Sequence, residues 1–529
     1  MHKLKMLGKL LRTIKHLKVQ QIIYQIRYKF KKPGALNGFA SKKVVKEKPL
    51  VFSPLPRVSP VLDLNASEAR FCFLNLTVEF DPSKVDWNYS KNGKLWNYNL
   101  QYVDFLRQND FSAEQRSVLL KDLYQALWDG VLPLEPYPAS LRIMNGIRFL
   151  SDNPGQKGIA EHIYAEITYL SQFLEFHILG NHLLENAFAL LMGGAYFSEP
   201  SWTQKAEKIL RSQLTEQTLQ DGAHFELSPM YHQIILFRVL EALDYLPASE
   251  RFSLFLREIA SRMCTWLATI SFRNGQIPHF NDSSDGIAFT TSELLAFAID
   301  LKVEWKPLKQ LGNSGYRKFQ HQKMELIADV HGISPTYQPG HAHADTFSFC
   351  LHYDEKAVIV DTGISTYNIC ERRDIERSTA AHNTVVVGAQ NSSEVWSGFR
   401  VGRRAKVEIS AEDNNSITAA HSGFSTAGVR HQRRFEQKGQ SLFIEDKIVG
   451  PGVHSDLIAY FHFDQGTAID LKGNSVLIND ELLISFSANK GIQLENYFLC
   501  KGYNECVEAT VLKVLLGSEG LRTEFRSKA

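Results

Sequence analysis

His341, His343 and Asp345 stand on alternate positions of PGHAHADTFSF, residues 339–349, between a Pro-Gly turn and an apolar run. Alternate residues of a strand share a face, so two imidazoles and a carboxylate emerge together at the edge of a turn. Asp361 ends the strand-like VIVD of VIVDTG, and His382 opens another strand in AHNTVVV. Imidazole nitrogen and carboxylate oxygen are ligands that Zn²⁺ accepts in tetrahedral geometry. The spacing matches no zinc finger, and a satisfied hydrogen-bond network of the same groups is the equal alternative.

Two further stretches carry groups that chemistry uses. In GNHLLENAFALL, residues 180–191, Asn181 and Glu185 are four apart and His182 and Glu185 three apart, so on a helix they share one face. Leu183, Leu184, Ala187, Leu190 and Leu191 take the other side. Exposed helix faces carry Lys and Glu; Asn, His and Glu on an otherwise apolar helix point to a cleft wall, with simple solvent exposure as the alternative. In DGAHFELSPMYHQIILFRVLEAL, residues 221–243, Ser228 reads as an N-cap and Pro229 as the first helical residue. Tyr231 then falls in the first turn, where the helix start modestly favours phenolate; a packed tyrosine with a wet hydroxyl is the commoner arrangement. Arg142, in PASLRIMNG, has the fork to clamp a carboxylate, against the default of a surface arginine. HFNDSSDG holds Asp282 and Asp285, for which turn chemistry is the plain explanation.

The elements that would position these groups fall into two textures. From about 95 to 301 the apolar period is helical, as in Ile159, Ile163, Ile167 and Leu170, and turns such as FSEPSW and LPASER separate roughly eight helices. Short connections imply antiparallel neighbours. After a linker near 302–324, AVIVDTG, NTVVVG, AKVEIS, SLFIEDKIVG, DLIAYFHF and SVLIND are short and β-branched, with turns between them, as in an antiparallel sandwich. The expected organisation is a basic segment over 1–48, an entry segment over 49–94 containing the strand-like RFCFLNLTVEF, a helical domain over 95–310 and an antiparallel β domain over 325–529.

At 529 residues the chain exceeds the roughly 250–300 at which one core stops growing, so more than one domain is required. The net charge of +2 conceals an asymmetry, because residues 1–48 hold 14 Lys or Arg against the single acid Glu47. Leu7, Leu10, Leu11, Ile14 and Leu17 recur at helical intervals among those lysines, giving a basic amphipathic helix. Attachment to an anionic membrane surface and docking on the protein itself are equal readings of it. Lysines interrupt the segment throughout, so it does not read as a signal peptide, and no run of about 18 uncharged apolar residues suggests a spanning helix. Location at the membrane surface or in the cytoplasm follows from these features. Six scattered cysteines fit free thiols. Nucleic-acid binding is disfavoured, since the basic charge sits at one end without interleaved aromatics.

NHLLEN, DGAHFELSPMYH, PGHAHADTFSF, VIVDTG and AHNTVVV occur in an order and at gaps that resemble the heparinase II/III-like family of polysaccharide lyases, over most of the chain from about residue 95. The resemblance implies an incomplete (α/α) toroid followed by an antiparallel β-sandwich, a cleft between them, and β-elimination on uronic-acid-containing polysaccharide. It implies that Asn181 and His182 face the uronate carboxylate, that Glu185 supports that helix face, and that Tyr231 and His341 handle the protons. Arg142, Glu226 and Asp282 are expected around the substrate. His343, Asp361 and His382 match the family's metal triad, usually zinc and structural, leaving Asp345 to stabilise the loop. The cell envelope or periplasm is the location the family suggests, and an exported or surface polysaccharide of the host itself the substrate. Two other classes compete. A toroid-fold glycoside hydrolase would use two carboxylates from Glu185, Glu226 and Asp282; a non-catalytic glycan-binding or assembly protein would use none of the proton-handling groups.

Overall fold

The computed structural model describes residues 2–41, 45–65, 67–156, 158–452 and 456–528, with side chains from residue 6 onward. Lys42 and Lys43 of the basic segment, and the side chains of Lys3 and Lys5, lie outside that description.

Between Lys94 and Asp300 the described residues form nine α-helices. Their starts are written in the sequence. Ser112 and Thr290 close capping boxes with Gln115 and Glu293, and Pro136, Pro200 and Pro229 each sit in a first turn, where no intrahelical donor is needed. Consecutive helices pack on one another: Gly180–Tyr196 on Pro200–Gln217, and Pro229–Tyr245 on Arg251–Ile270, while Pro136–Asp152 contacts both Ile159–Gln172 and Gly180–Tyr196. The core between them is built from side chains such as Leu123, Ile147, Ile163, Leu184, Leu236 and Leu267, all fully or almost fully buried; each removes roughly 1.5–3 kcal/mol worth of apolar surface from water.

Arg142 belongs to that interior and not to a substrate site. It is 0% exposed, donates to Glu166 through both Nε (3.0 Å) and Nη2, and reaches the Gln101 carbonyl through Nη1 at 3.0 Å. Tyr124 donates to the same carboxylate at 3.0 Å. The fork expected for a ligand is spent on a neighbouring helix.

RFCFLNLTVEF, read as one strand, is a hairpin. Ala69–Phe73 and Leu76–Phe80 pair antiparallel around Leu74 and Asn75, both in the left-handed region (φ 54° and 61°), and Leu62–Leu64 adds a third strand. The turn pair LN lacks the glycine that usually marks such a reversal.

The C-terminal half contains an eight-stranded and two four-stranded sheets, their described neighbours all antiparallel. Each of the six stretches read as strands contains one, although the strand in AVIVDTG ends at Ile359, before Asp361, and that in NTVVVG begins at Val385, after His382. Tyr316–His321 lies within the stretch read as a linker, because YRKFQH is too polar to look apolar-alternating, although half of it is buried. One core joins the sheets, with Phe349, Leu351, Phe435, Ile444, Phe461 and Leu512 in contact across them. All six cysteines are free.

A candidate active site where the helical and β halves meet

The site is assembled around a carboxylate. Asp282, in the loop after the helix Arg251–Ile270, is 0% exposed and accepts from His341 Nδ1 (2.8 Å), His343 Nε2 (2.8 Å) and both terminal nitrogens of Arg373 (2.5 and 2.7 Å). Burial pushes its pKa up, but the Arg373 charge and the two imidazoles outweigh that and hold it well below the usual range. With every oxygen engaged, Asp282 does not face substrate as expected; it fixes the two histidines. The loop is itself pinned. Ser228 Oγ donates to the Asp282 carbonyl (2.7 Å), Asn281 Nδ2 to the Leu227 carbonyl (2.9 Å), and the His343 N–H to Asn281 Oδ1 (2.9 Å).

Because a carboxylate only accepts, the neutral His341 ring carries its proton on Nδ1 and presents a lone pair on Nε2. Its ring stacks on Tyr231 with centroids 3.9 Å apart and planes at 29°. Tyr231 is where the motif places it: Ser228 is the N-cap, accepting from the Tyr231 N–H at 3.2 Å, and Pro229 opens the helix. The Tyr231 hydroxyl lies 3.1 Å from the Tyr367 hydroxyl, which stands 3.4 Å from His341 Nδ1. The expected stabilisation of phenolate by the helix start is overruled. Burial, with Tyr503 and Tyr137 nearby, pushes the Tyr231 pKa well above its ordinary value, so the phenol rests protonated.

Asn181 and His182 arrive from the start of the helix Gly180–Tyr196. Gly180 has φ +58°, and a Cβ there would come within 2.8 Å of both Gln338 Oε1 and Glu226 Oε1, so the turn needs glycine. The Asn181 N–H donates to Glu226 Oε1 at 3.3 Å, and Glu226 Oε2 lies 3.9 Å from His341 Nε2. Burial raises the Glu226 pKa. Asn181 Oδ1, Glu226 Oε2 and Gln338 Oε1 are buried without a hydrogen-bond partner, a cluster of unsatisfied groups of the kind a ligand would complete. His182 packs on Tyr137 (4.4 Å between centroids) and contacts Glu175 Oε1 through Nδ1 at 3.0 Å. Burial opposes its protonation, yet Glu175 prevails and raises its pKa. Glu185 is buried and accepts from Arg238 Nε at 2.8 Å, which fits support of the helix face.

A cavity of about 450 Å³ opens beside these groups, bordered by Tyr102, Tyr137, Glu185, Tyr231, Tyr367 and Tyr503. Tyr367 and Arg373 were not singled out in the sequence. The available signal was only their position between VIVDTG and AHNTVVV, the two motif strands. Asp285 is apart from this cluster and contacts His279 at 3.1 Å.

The expected metal triad is only partly convergent. His382 Nδ1 donates to Asp361 Oδ2 at 2.7 Å, His343 Nε2 faces Asp282, and the two rings lie 5.3 Å apart. No group of three or more His, Cys, Asp or Glu among the described residues forms a metal shell. Three buried atoms nevertheless lack partners: His343 Nδ1, His382 Nε2 and Asp345 Oδ2. Both imidazoles donate from their other nitrogen to a carboxylate, the arrangement that turns a histidine lone pair toward a metal. The donor set therefore suits zinc, with Asp361 backing His382.

A family model for the heparinase II/III N-terminus matches residues 159–298, and one for the heparinase II/III-like C-terminal part matches residues 305–526. A heparin-sulfate lyase of Bacteroides stercoris is 24% identical over 324 residues, which take in 53% of this chain and 47% of that one. A heparin-sulfate lyase of Pedobacter heparinus is 27% identical over 316 residues, 53% of this chain and 46% of that one. The matched segment thus spans about half the length of these curated relatives. Among solved structures, heparinase III superposes with a TM-score of 0.66 at 15% identity, covering 84% of this chain and 79% of that one. A mutant heparan sulfate lyase from Pedobacter heparinus gives 0.60 at 17% identity, covering 96% and 88%. At that identity the likeness is one of fold: a helical toroid followed by β-sheets.

Proposed function

Because the chain belongs to the heparinase II/III-like family, we propose that it is a polysaccharide lyase that cleaves uronic-acid-containing glycan by β-elimination. The observation that carries the reading is the stack of Tyr231 on His341, with the imidazole tautomer set by Asp282.

Elimination across C4–C5 of a uronate begins with loss of the C5 proton, alpha to a carboxylate, and charge then builds on that carboxyl group. Donors placed where the charge develops lower the barrier. Asn181 and His182, whose positively charged form Glu175 favours, are suited to that task. Nε2 of His341 has the free lone pair to take the C5 proton. Tyr231, resting as the phenol, has the proton to deliver to the O4 leaving group; each such transfer contributes on the order of 10²–10⁴-fold. Where proton and leaving group lie on one side of the ring, Tyr231 serves both in turn: its hydroxyl proton is first given up, with the lone pair on Nε2 of the stacked His341 as the acceptor, and the phenolate oxygen then takes the C5 proton and delivers it to O4. The hydrolase alternative is less well supported, because Asp282 is consumed by two imidazoles and Arg373, and Glu185 by Arg238.

Zinc held by His343 and His382, with Asp345 as the carboxylate beside them and Asp361 as the acceptor that orients His382, would tie the His341–Asp345 loop to the sandwich. Its role there would be to hold that loop in place. The substrate we propose is an anionic polysaccharide that the host makes or exports.

The test is digestion of a panel of uronate polymers, the host's capsule and O-chain among them, read by ultraviolet absorbance of the unsaturated product. Tyr231→Phe should keep the fold and bind substrate while lowering kcat by about 10²–10⁴-fold. Product without absorbance, or wild-type turnover by the variant, would overturn the reading. Metal analysis of the purified protein should find about one zinc per chain, and chelation should lower the melting temperature.

A further inference from the structure

Residues 2–30 contain two helices, His2–Ile14 and Val19–Phe30, that are mounted on the protein by their polar sides. Arg12 reaches Glu394 through Nε (2.8 Å) and Nη2 (2.7 Å), and Trp396 Nε1 donates to Thr13 Oγ1 at 3.2 Å. Gln21, 2% exposed, donates to the Ile178 carbonyl at 3.1 Å, and Tyr28 donates to the Leu174 carbonyl at 2.6 Å. One end of the arm therefore holds the β half and the other the helical half.

The apolar side faces outward. Met6, Leu7, Leu11, Ile14, Val19, Ile22, Ile23, Ile26 and Phe30 are 37–87% exposed, so nine of the 25 large exposed hydrophobic residues described in the whole chain fall within 25 consecutive positions. In the second helix Val19, Ile22, Ile23, Ile26 and Phe30 make one stripe, and Gln21, Tyr24 and Tyr28 the opposite one, which meets the protein. A helix serving only its own domain buries its apolar stripe; this one is mounted in reverse. Docking on the protein, one of the two alternatives in the sequence, is realised through the polar face, which leaves the apolar face exposed.

The charge identifies what that something is. No acid occurs before Glu47, and Lys15, Lys29 and Lys32 are exposed without an ion-pair partner among the described residues. An apolar stripe flanked by cations, carried on two helices, has the composition of an element that lies in a bilayer interface and is drawn there by anionic headgroups. No helix among the described residues is long and apolar enough to cross the membrane. We infer that residues 6–30 form a docking face for an anionic lipid bilayer, which holds the enzyme on the membrane surface by a mount rigidly tied to both halves. This rests on the arm alone and is independent of the reaction proposed above.

The experiment is co-sedimentation of the full chain with phosphatidylcholine vesicles, with and without phosphatidylglycerol, accompanied by sedimentation velocity without lipid. Binding should require phosphatidylglycerol and weaken with salt. Combining Ile22→Ser, Ile26→Ser and Phe30→Ser should reduce binding at least tenfold without changing the melting temperature, since all three side chains are exposed. Lys15→Glu, Lys29→Glu and Lys32→Glu together give a second variant, expected to lose about 10²-fold. Equal binding to neutral vesicles, or none to either, would overturn the inference. So would self-association in the absence of lipid that the serine variant abolishes, because the face would then join copies of the chain.

Discussion

Asp282 satisfies four donors at once, and it shows how far single residues can be read. HFNDSSDG offered it as ordinary turn chemistry, since nothing local reveals that His341, His343 and Arg373 converge on its carboxylate from positions 59 to 91 residues away. Tyr231 was legible because its cap, Ser228-Pro229, is local. Its protonation was not, because burial is a property of the assembled site. Asp282→Asn keeps the shape and removes the charge that balances Arg373. An uncompensated buried charge costs about 3–5 kcal/mol, and an amide cannot accept from both imidazoles and the guanidinium. Urea denaturation should show that loss. Turnover of the remaining folded enzyme should fall on the order of 10²-fold or more as the His341 tautomer is released. Unchanged turnover would mean that the His341 lone pair is not the base.

At the scale of elements, type was easier to read than partnership. The helical period from 95 to 301 and the six β-branched stretches produced the elements they suggested, since amphipathic spacing and capping act within a few residues. Pairing between distant elements left no comparable trace. Arg142 sits in a helix whose neighbours in sequence give no hint of Glu166 on the next one, so its fork looked available for substrate. Arg142→Ala should destabilise the chain by about 3–5 kcal/mol by stranding Glu166, while KM of the folded fraction stays within about twofold, because the residue touches no part of the cavity. Pairing Arg142→Met with Glu166→Leu should recover most of the stability. A raised KM with normal stability would restore Arg142 to the substrate.

Across the whole molecule, buried ionisable groups make stability depend on pH in both directions. Burial lowers His232 to about 3 and His352 to about 4. In the unfolded chain each takes up a proton near 6.5, so each withdraws stability as pH falls below that value. Asp446 resists burial through Arg433 and His431 and is lowered to about 2, adding a further loss as pH falls below about 4. His182 and His279 act oppositely: burial disfavours their charge, but Glu175 and Asp285 raise their pKa. The stability they supply is complete below about 6.5 and is lost as pH rises through the folded values. Each proton is worth about 1.4 kcal/mol per pH unit, so between pH 6 and 4 the two depressed histidines alone approach about 3 kcal/mol per unit. The melting temperature should therefore peak near neutrality and fall more steeply on the acid side. His182→Gln should flatten the alkaline arm and leave the acid arm in place. A melting temperature that climbs steadily from pH 8 to pH 4 would mean that these histidines are not held neutral in the folded protein, and with that the tautomer logic of its interior would lose its basis.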